Sequence, residues 1–426
     1  MAQVQRPDGT IPRSGDTKSN RVTELRSMGL DAPPPENQRT RGTVRFYPKS
    51  GYALRWHAGR PAGQPHETLS QLMAVWGHFP HRKHKQPDDL SLHLWAGGID
   101  WWTSVGYWPF TGGDRAQALN WAGSNAPHRV GESSQALHRP RANYIGTRDD
   151  ALFLELTRGS KGGFRVKRQV LALPEQVWVI VDAYEDRRGG TARTVWLTDN
   201  DNAIEPVDNG NRNRYRITSR GTSDTLAVSV VGSTPPTIRV ANGETNPMIG
   251  WIARRPSRPA PALVVETPLP SSWTANVAVL ENNGTPRLGN GVSMSEWTSA
   301  HQWSLIVPML NSKLEIRRNK DSIIIRRGNE QRVTNIALRG VTNEEQSYAP
   351  EVSAYREQKN LYSGRLDPVE DYRLKMTWLV LGLGLASLVF ILLVCRLLTP
   401  RSRQLALALP VASWMGLNVW LHVVYF

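Results

Sequence analysis

From Thr43 to about residue 345 the chain is a succession of short apolar segments, among them TVRFYP, YALRW, QLMAVWGHF, ALFLEL, QVWVIVDAYE, TLAVSVV, ANVAVLEN, QWSLIVPML and DSIIIRR. Gly, Asn, Asp or Pro divides nearly all of them, and helical periodicity is almost absent between them. Segments of this length, rich in β-branched and aromatic residues and bounded by turn residues, read as strands. So many in succession predict a mainly β chain, a large antiparallel β-sandwich. No internal repeat of fixed period occurs. With 16 Trp and 39% hydrophobic residues in 426, the chain has material for a packed core. The acidic stretch DNDNAIEPVDNGNRNR lacks the spacing and closing glutamate of an EF-hand and reads as a solvated loop.

Function-bearing residues concentrate between 79 and 132. This span gathers His81, His84 and His128, the pair Asp88 and Asp89, Arg115, and the aromatics Trp95, Trp101, Trp102, Tyr107, Trp108 and Trp121. LSLHLWA and IDWWTSV alternate in polarity around Gly97-Gly98, which predicts two strands joined by a tight turn, since paired glycines supply the positive φ a two-residue hairpin needs. A neutral imidazole exchanges protons near pH 7, an arginine clamps a carboxylate through two parallel hydrogen bonds, and aromatic faces suit the C–H faces of a pyranose. Those are the needs of a protein acting on acidic sugar. The bland alternative makes the tryptophans sheet core and the histidines loop residues bonded to backbone.

The run HKQPDDLSLHLWAGGIDWWTSVGYWPF, followed by SNAPH, resembles the start of the C-terminal β-sandwich of heparinase II/III-type polysaccharide lyases. PDGTIPRSGDT, residues 7 to 17, resembles the segment that closes the helical α/α toroid preceding that sandwich. The resemblance implies cleavage of a uronate-containing polysaccharide by β-elimination, in which the C6 carboxylate is neutralised, the C5 proton removed and the departing O4 protonated. It assigns the catalytic sandwich histidine to His84, working beside an asparagine, a histidine and a tyrosine of the toroid, and matches His128 to a later histidine that in some members lies at or near a metal. On hydrogen-bonding and stacking grounds Trp101, Trp102, Tyr107, Trp108, Arg115, Asn125 and His128 are expected around the sugar. Where zinc-bearing members carry a second histidine and an aspartate, this chain has Gln86 and Ser104, neither a good ligand, so no zinc and no other cofactor is expected. The alternative is a non-catalytic glycan-binding or scaffolding sandwich.

Outside the sandwich the texture changes. Residues 1–42 are polar and rich in Pro, Gly and Arg, with one helical candidate at Ser19 to Met28, and are expected to be a remnant of the end of the toroid, the rest of that helical domain being absent. No charged n-region followed by an apolar core occurs, so no signal peptide is expected. The sandwich is expected over 43–345 and a polar juxtamembrane linker over 346–375. Two uncharged apolar runs, Met376 to Cys395 and Leu405 to Phe426, then predict transmembrane helices at 376–398 and 405–426, each long enough for a bilayer core. Arg396, Arg401 and Arg403 lie at their connection, so the pair forms a hairpin that anchors the chain in a membrane. Arg356, Lys359, Arg365, Arg373 and Lys375 precede the first span, so the charge bias is equivocal, and it is the resemblance to a lyase of periplasmic polysaccharide that implies a sandwich on the periplasmic side. The one cysteine, Cys395, has no partner for a disulfide. A formal charge of +15 and a pI near 10.2 favour polyanionic partners, which include acidic polysaccharide, nucleic acid and anionic lipid, and charge alone does not choose among them. Nucleic acid is not expected, because no basic helix, zinc-finger spacing or aromatic RNA-binding signature accompanies the charge.

Overall fold

The computed structural model describes residues 4–7, 9–15, 43–59, 68–77, 86–108, 114–134, 140–160, 163–186, 188–207, 213–253, 257–269, 273–328 and 332–346. Met1–Ser347 form one compact unit and Tyr348–Phe426 a second. The second unit, with both apolar runs expected to cross a membrane and most of the linker, lies outside the described residues, as does the helical candidate at Ser19 to Met28. Among the described residues no helix is long and apolar enough to cross a membrane.

The first strands are β1 (Thr43–Tyr47), β2 (Tyr52–Gly59), β3 (Thr68–Val75), β4 (Ser91–Ala96) and β5 (Ile99–Trp102); a helical turn α1 (Arg115–Ala118) and β6 (His128–Arg129) follow. Then come β7 (Arg141–Arg148), β8 (Ala151–Gly159), β9 (Arg165–Leu173), β10 (Val177–Glu185), β11 (Gly190–Leu197), β12 (Asn202–Pro206), β13 (Arg214–Ser219), β14 (Thr225–Gly232) and β15 (Thr237–Asn242). Short pieces β16 (Glu244–Thr245), β17 (Met248–Ile249), β18 (Trp251–Ile252) and β19 (Arg258–Pro259) lead to β20 (Pro261–Leu269) and β21 (Trp273–Glu281). The described part ends with β22 (Ser293–Ser299), β23 (Gln302–Met309), β24 (Ser312–Asn319), β25 (Ser322–Arg327), β26 (Arg332–Ala337), β27 (Arg339–Gly340) and the turn α2 (Asn343–Gln346).

These strands form antiparallel sheets in three layers. A nine-stranded sheet, β12-β13-β14-β21-β10-β9-β8-β7-β27, is the middle one. One face packs on the meander β1-β2-β3-β4-β5 and on the four-stranded sheet β15-β20-β11-β6, through a core that includes Leu92, Leu94, Trp102, Leu154, Trp178, Ile180 and Trp196. Its other face packs on the meander β22-β23-β24-β25-β26 through Phe153, Val179, Val277, Trp303, Leu305, Ile316 and Ile325. A strand covered on both faces gains from apolar residues at every position, which is why β10 opens on the run VWVIV and β21 carries VAVL, with no alternation within either run. The β22–β26 meander, wet on one side, alternates along β23, β24 and β25. In the other meander β4 is buried at every position, and Leu54, Trp56, Met73, Val75 and Trp95 form a further cluster on its far face.

Two departures from the sequence reading stand out. The acidic stretch expected as a solvated loop supplies β12, an edge strand paired with β13 from Asn202↔Ser219 to Pro206↔Tyr215. And the basic charge is not all at the surface: Arg6, Arg55, Arg158, Arg168 and Arg318 are fully buried, each against carbonyl or carboxylate oxygen.

Candidate functional site

The β4–β5 hairpin turns through Gly97 and Gly98 at φ +58° and +88°, the pair of positive values its sequence demanded. At its other end Leu90 carries φ +68° although it has a side chain, and that side chain is fully buried. A branched residue in this region costs on the order of 1–3 kcal/mol, so the surroundings must impose it. They do so through Arg168: its Nη1 donates to the Leu90 carbonyl at 2.9 Å and to the Asn125 carbonyl at 2.7 Å, while Nε and Nη2 hold both oxygens of Asp182 at 2.7 Å. Asn125 closes the frame with its amide, accepting from Leu92 N at 2.7 Å and donating to Leu92 O at 2.6 Å. Gln86 donates to the Gly106 carbonyl at 2.9 Å and Ser124 to the Pro87 carbonyl at 3.0 Å. Segments 86–92, 104–108 and 124–126 are thereby tied into one rigid rim.

Two side-chain groups sit on that rim. In the first, Arg115, at the start of α1, donates to the Trp108 carbonyl and lies with its guanidinium carbon 5.6 Å from the Tyr107 ring centroid. Trp108 is buried, its indole N–H on Asp114 at 3.0 Å and its ring edge-on to Trp251. Tyr107 and Arg115 are both part-exposed. A guanidinium oriented by a carbonyl and an aromatic face, with part of it in solvent, is suited to a carboxylate beside a sugar ring.

In the second group His128 is buried, stacked on Trp121 at 5.8 Å, with Nδ1 3.0 Å from the Ala126 carbonyl. Arg158 covers the Trp121 ring at 4.4 Å, bonds Glu132 at 2.5 Å and donates to the Pro127 carbonyl at 2.6 Å. Burial pushes the His128 imidazole down to about 4, with Arg158 and Arg193 adding to the shift against the Ala126 bond. It is therefore neutral at pH 7, with Nδ1 donating.

The seven described candidates separate by exposure. Trp101, Trp102 and Asn125 are completely buried. The sugar contact expected of them from sequence is not open to them in this fold, because the two indoles fill the first core and the Asn125 amide is committed to Leu92. Trp108 and His128 are nearly as buried and support the rim, whereas Tyr107 and Arg115 present surface. Asp88 and Asp89 are buried too. His81 and His84 lie outside the described residues; Gln86, two residues after His84, is fixed beside Tyr107 by its bond to Gly106. Among the described residues no three His, Cys, Asp or Glu side chains are grouped to hold a metal.

Sequence reasoning missed Arg168, Asp182, Arg158 and Glu132. The signal for the first two was there: Arg168 adjoins the apolar run of RVKRQVLAL and Asp182 interrupts that of VWVIVDAYE, and the β9–β10 register sets them opposite one another.

The description "Heparinase II/III-like, C-terminal" matches residues 39–257, just over half the chain. Among solved structures the fold is similar to heparan sulfate lyase HepC from Pedobacter heparinus, with a TM-score of 0.58 and 13% identity over 75% of this chain and 51% of that one. It is similar also to a heparinase III gene product, with a TM-score of 0.59 and 14% identity over 75% and 51%, and to a further heparinase III at 0.58 and 12% over 74% and 51%. The chain thus spans about half the length of these structures. Among curated protein sequences none matches significantly.

Proposed function

The chain belongs to the heparinase II/III-like C-terminal family, and on that premise we propose that it acts as a polysaccharide lyase on an acidic, uronate-containing polysaccharide by β-elimination. The observation that carries this reading is the convergence on one rim of part-exposed Tyr107 and Arg115 with the anchored residue Gln86. Arg115 would pair with the C6 carboxylate and so make the C5 proton acidic, Tyr107 would face the ring, and His84 would take the proton. His128, neutral and buried, holds the rim in shape. The substrate class named for the similar structure, heparan sulfate, agrees with the basic balance of this chain.

A glycan-binding role without catalysis is favoured by a different observation: five of the seven described candidates are packed away, leaving Tyr107 and Arg115 as a surface that can hold sugar. Incubating the full-length form of the protein and its His84→Ala variant with a panel of uronate polymers, while following absorbance of the 4,5-unsaturated product, separates the two. Product from the parent and none from the folded variant supports the lyase. No product from either on any polymer, with binding retained, supports the binding role.

The membrane hairpin at 376–398 and 405–426, with the sandwich facing the periplasm, is part of the same proposal, resting on two uncharged runs of spanning length. Truncation after Asp371 should then move the protein from the membrane fraction to the soluble one. Recovery of the intact chain in the soluble fraction would refute the anchor.

A further inference from the structure

The outer face of the β22–β26 meander breaks the alternation that its strands otherwise keep. Leu305, Val307, Leu314, Ile316, Ile323 and Ile325 point inward and are buried in the second core. Solvent-facing positions between them ought to be polar. Ile306 and Ile324 nevertheless stand on that face, part-exposed, next to the exposed Arg317 and Arg326.

Register accounts for their meeting. Arg317 is paired with Ser304 on one side and Ile324 on the other, and Glu315 with Ile306 and Arg326. Arg317 and Arg326 are therefore diagonal neighbours across β24 and β25, about 7–8 Å apart at the backbone. With Ser295, Ser304, Glu315 and the two isoleucines they line a concavity of about 190 Å³. Arg317 is steadied by a 3.2 Å bond to Ser304 Oγ. The acid lining the concavity, Glu315, is engaged by Lys313 at 2.6 Å, and Lys313 is the first cause of its carboxyl lying below the usual range. With Lys313 on one side of the count and exposed Glu296, paired with Ser304 on β22, on the other, these residues make three cations to two anions.

A ligand that fits must bring negative charge to a diagonal pair of guanidiniums and an apolar face to two isoleucines. A chain of acidic pyranoses has both, carboxylate or sulfate at the ring edge and C–H groups on its face, whereas a nucleic acid would want an aromatic platform, and none lines this concavity. We propose that the outer face of β22–β26 is an accessory docking surface for a strand of anionic polysaccharide, distinct from the rim at Tyr107 and Arg115. It lies beyond the family match, which ends at residue 257. Its ligand class rests on the lyase reading; its existence does not.

The test is binding of heparin and of polygalacturonate, by calorimetry at two salt concentrations, to the full chain, to Arg317→Ser/Arg326→Ser and to a control of equal charge loss, Arg165→Ser/Arg220→Ser. At least a fivefold loss of affinity and a shallower salt dependence are expected in the first variant but not in the control. Ile324→Ser should weaken binding without changing the salt dependence. Equal loss in both double variants, or unchanged affinity in the first, overturns the surface. So does a first variant that binds both polymers normally but loses binding to vesicles containing anionic lipid. Product formation is scored separately: a surface confirmed in a protein without lyase activity leaves this proposal standing and removes the other, and active enzyme with unchanged binding does the reverse.

Discussion

Arg168 and Asp182 face each other as register partners on β9 and β10 and are joined by two parallel hydrogen bonds of 2.7 Å in the interior of the three-layer stack. The pair has a second task, because the remaining guanidinium nitrogen reaches out of the sheet to the carbonyls of Leu90 and Asn125. Core chemistry thus sets the shape of the candidate site, and the strained backbone at Leu90 persists because this donor holds it.

Replacing Arg168 by Met leaves Asp182 as an unpaired buried charge and two carbonyls without a donor. A loss of about 3–5 kcal/mol is expected for such a break. Arg168→Met/Asp182→Leu should recover much of it, since a buried pair is often replaceable by apolar residues of similar volume. Denaturant midpoints of the three proteins check this, and a double variant no more stable than the single one would show that the carbonyl contacts, not the charge pair, dominate.

That pair also marks where the sequence stops being legible. Strand positions, the Gly97-Gly98 turn and the antiparallel class follow from turn residues and polarity. The three-layer stack does not, because an unbroken run such as VWVIV says that both faces are covered and not by what. Trp101 and Trp102 were misplaced for a related reason. Neighbours on a strand point to opposite faces, so one of them should have been wet, but β4 and β5 pair with a bulge between Leu94 and Trp95 and both rings are enclosed. Conversely, Tyr107 and Arg115, which follow the motif directly in sequence, are the two described candidates that present surface.

Asn125 allows a sharper test of the rim. Its amide makes a reciprocal pair with Leu92, so Asn125→Asp retains size but turns a donor into an acceptor facing the Leu92 carbonyl at 2.6 Å. A cost of about 2–3 kcal/mol is expected from the lost bond and the two opposed oxygens. Thermal melting measures it. A melt unchanged within error would mean that the loop at 124–126 holds its place without this side chain.

Acid sensitivity follows from three buried imidazoles. His93 is pushed down to about 3, by burial first and then by Arg6 and Arg13; His128 is pushed down to about 4, and so is His57, by burial first and then by Arg55. In the unfolded chain all three titrate near 6.5. Below that pH the unfolded state takes up protons that the folded state refuses, so stability rises with pH and is lost as pH falls from about 6.5 toward 4. Each group contributes on the order of 3 kcal/mol to the loss by the lower end. Between pH 6.5 and 5 the carboxylates are still charged, so this window reports the histidines. His128→Asn should flatten the dependence of the urea midpoint on pH there; an unaltered slope would show that the ring is solvated enough to titrate normally.

The last prediction concerns Arg115, whose guanidinium is oriented by the Trp108 carbonyl and lies over the Tyr107 ring while remaining part-exposed. If the protein is a lyase and this group binds the uronate carboxylate, Arg115→Ala removes an interaction made with the bound substrate and strengthened as charge moves onto the carboxylate in the transition state. Both KM and kcat should then suffer, with kcat/KM falling on the order of a hundredfold, or about 2.7 kcal/mol. Arg115→Lys keeps a point charge but loses the planar fork, so it should recover only part of the loss. The control is a polymer whose carboxyl groups have been reduced to alcohols and which is assayed for binding alone: parent and variant should hold it equally weakly. A variant that discriminates the two polymers as well as the parent does would place the carboxylate elsewhere on the rim, and leave Arg115 as a brace for Trp108.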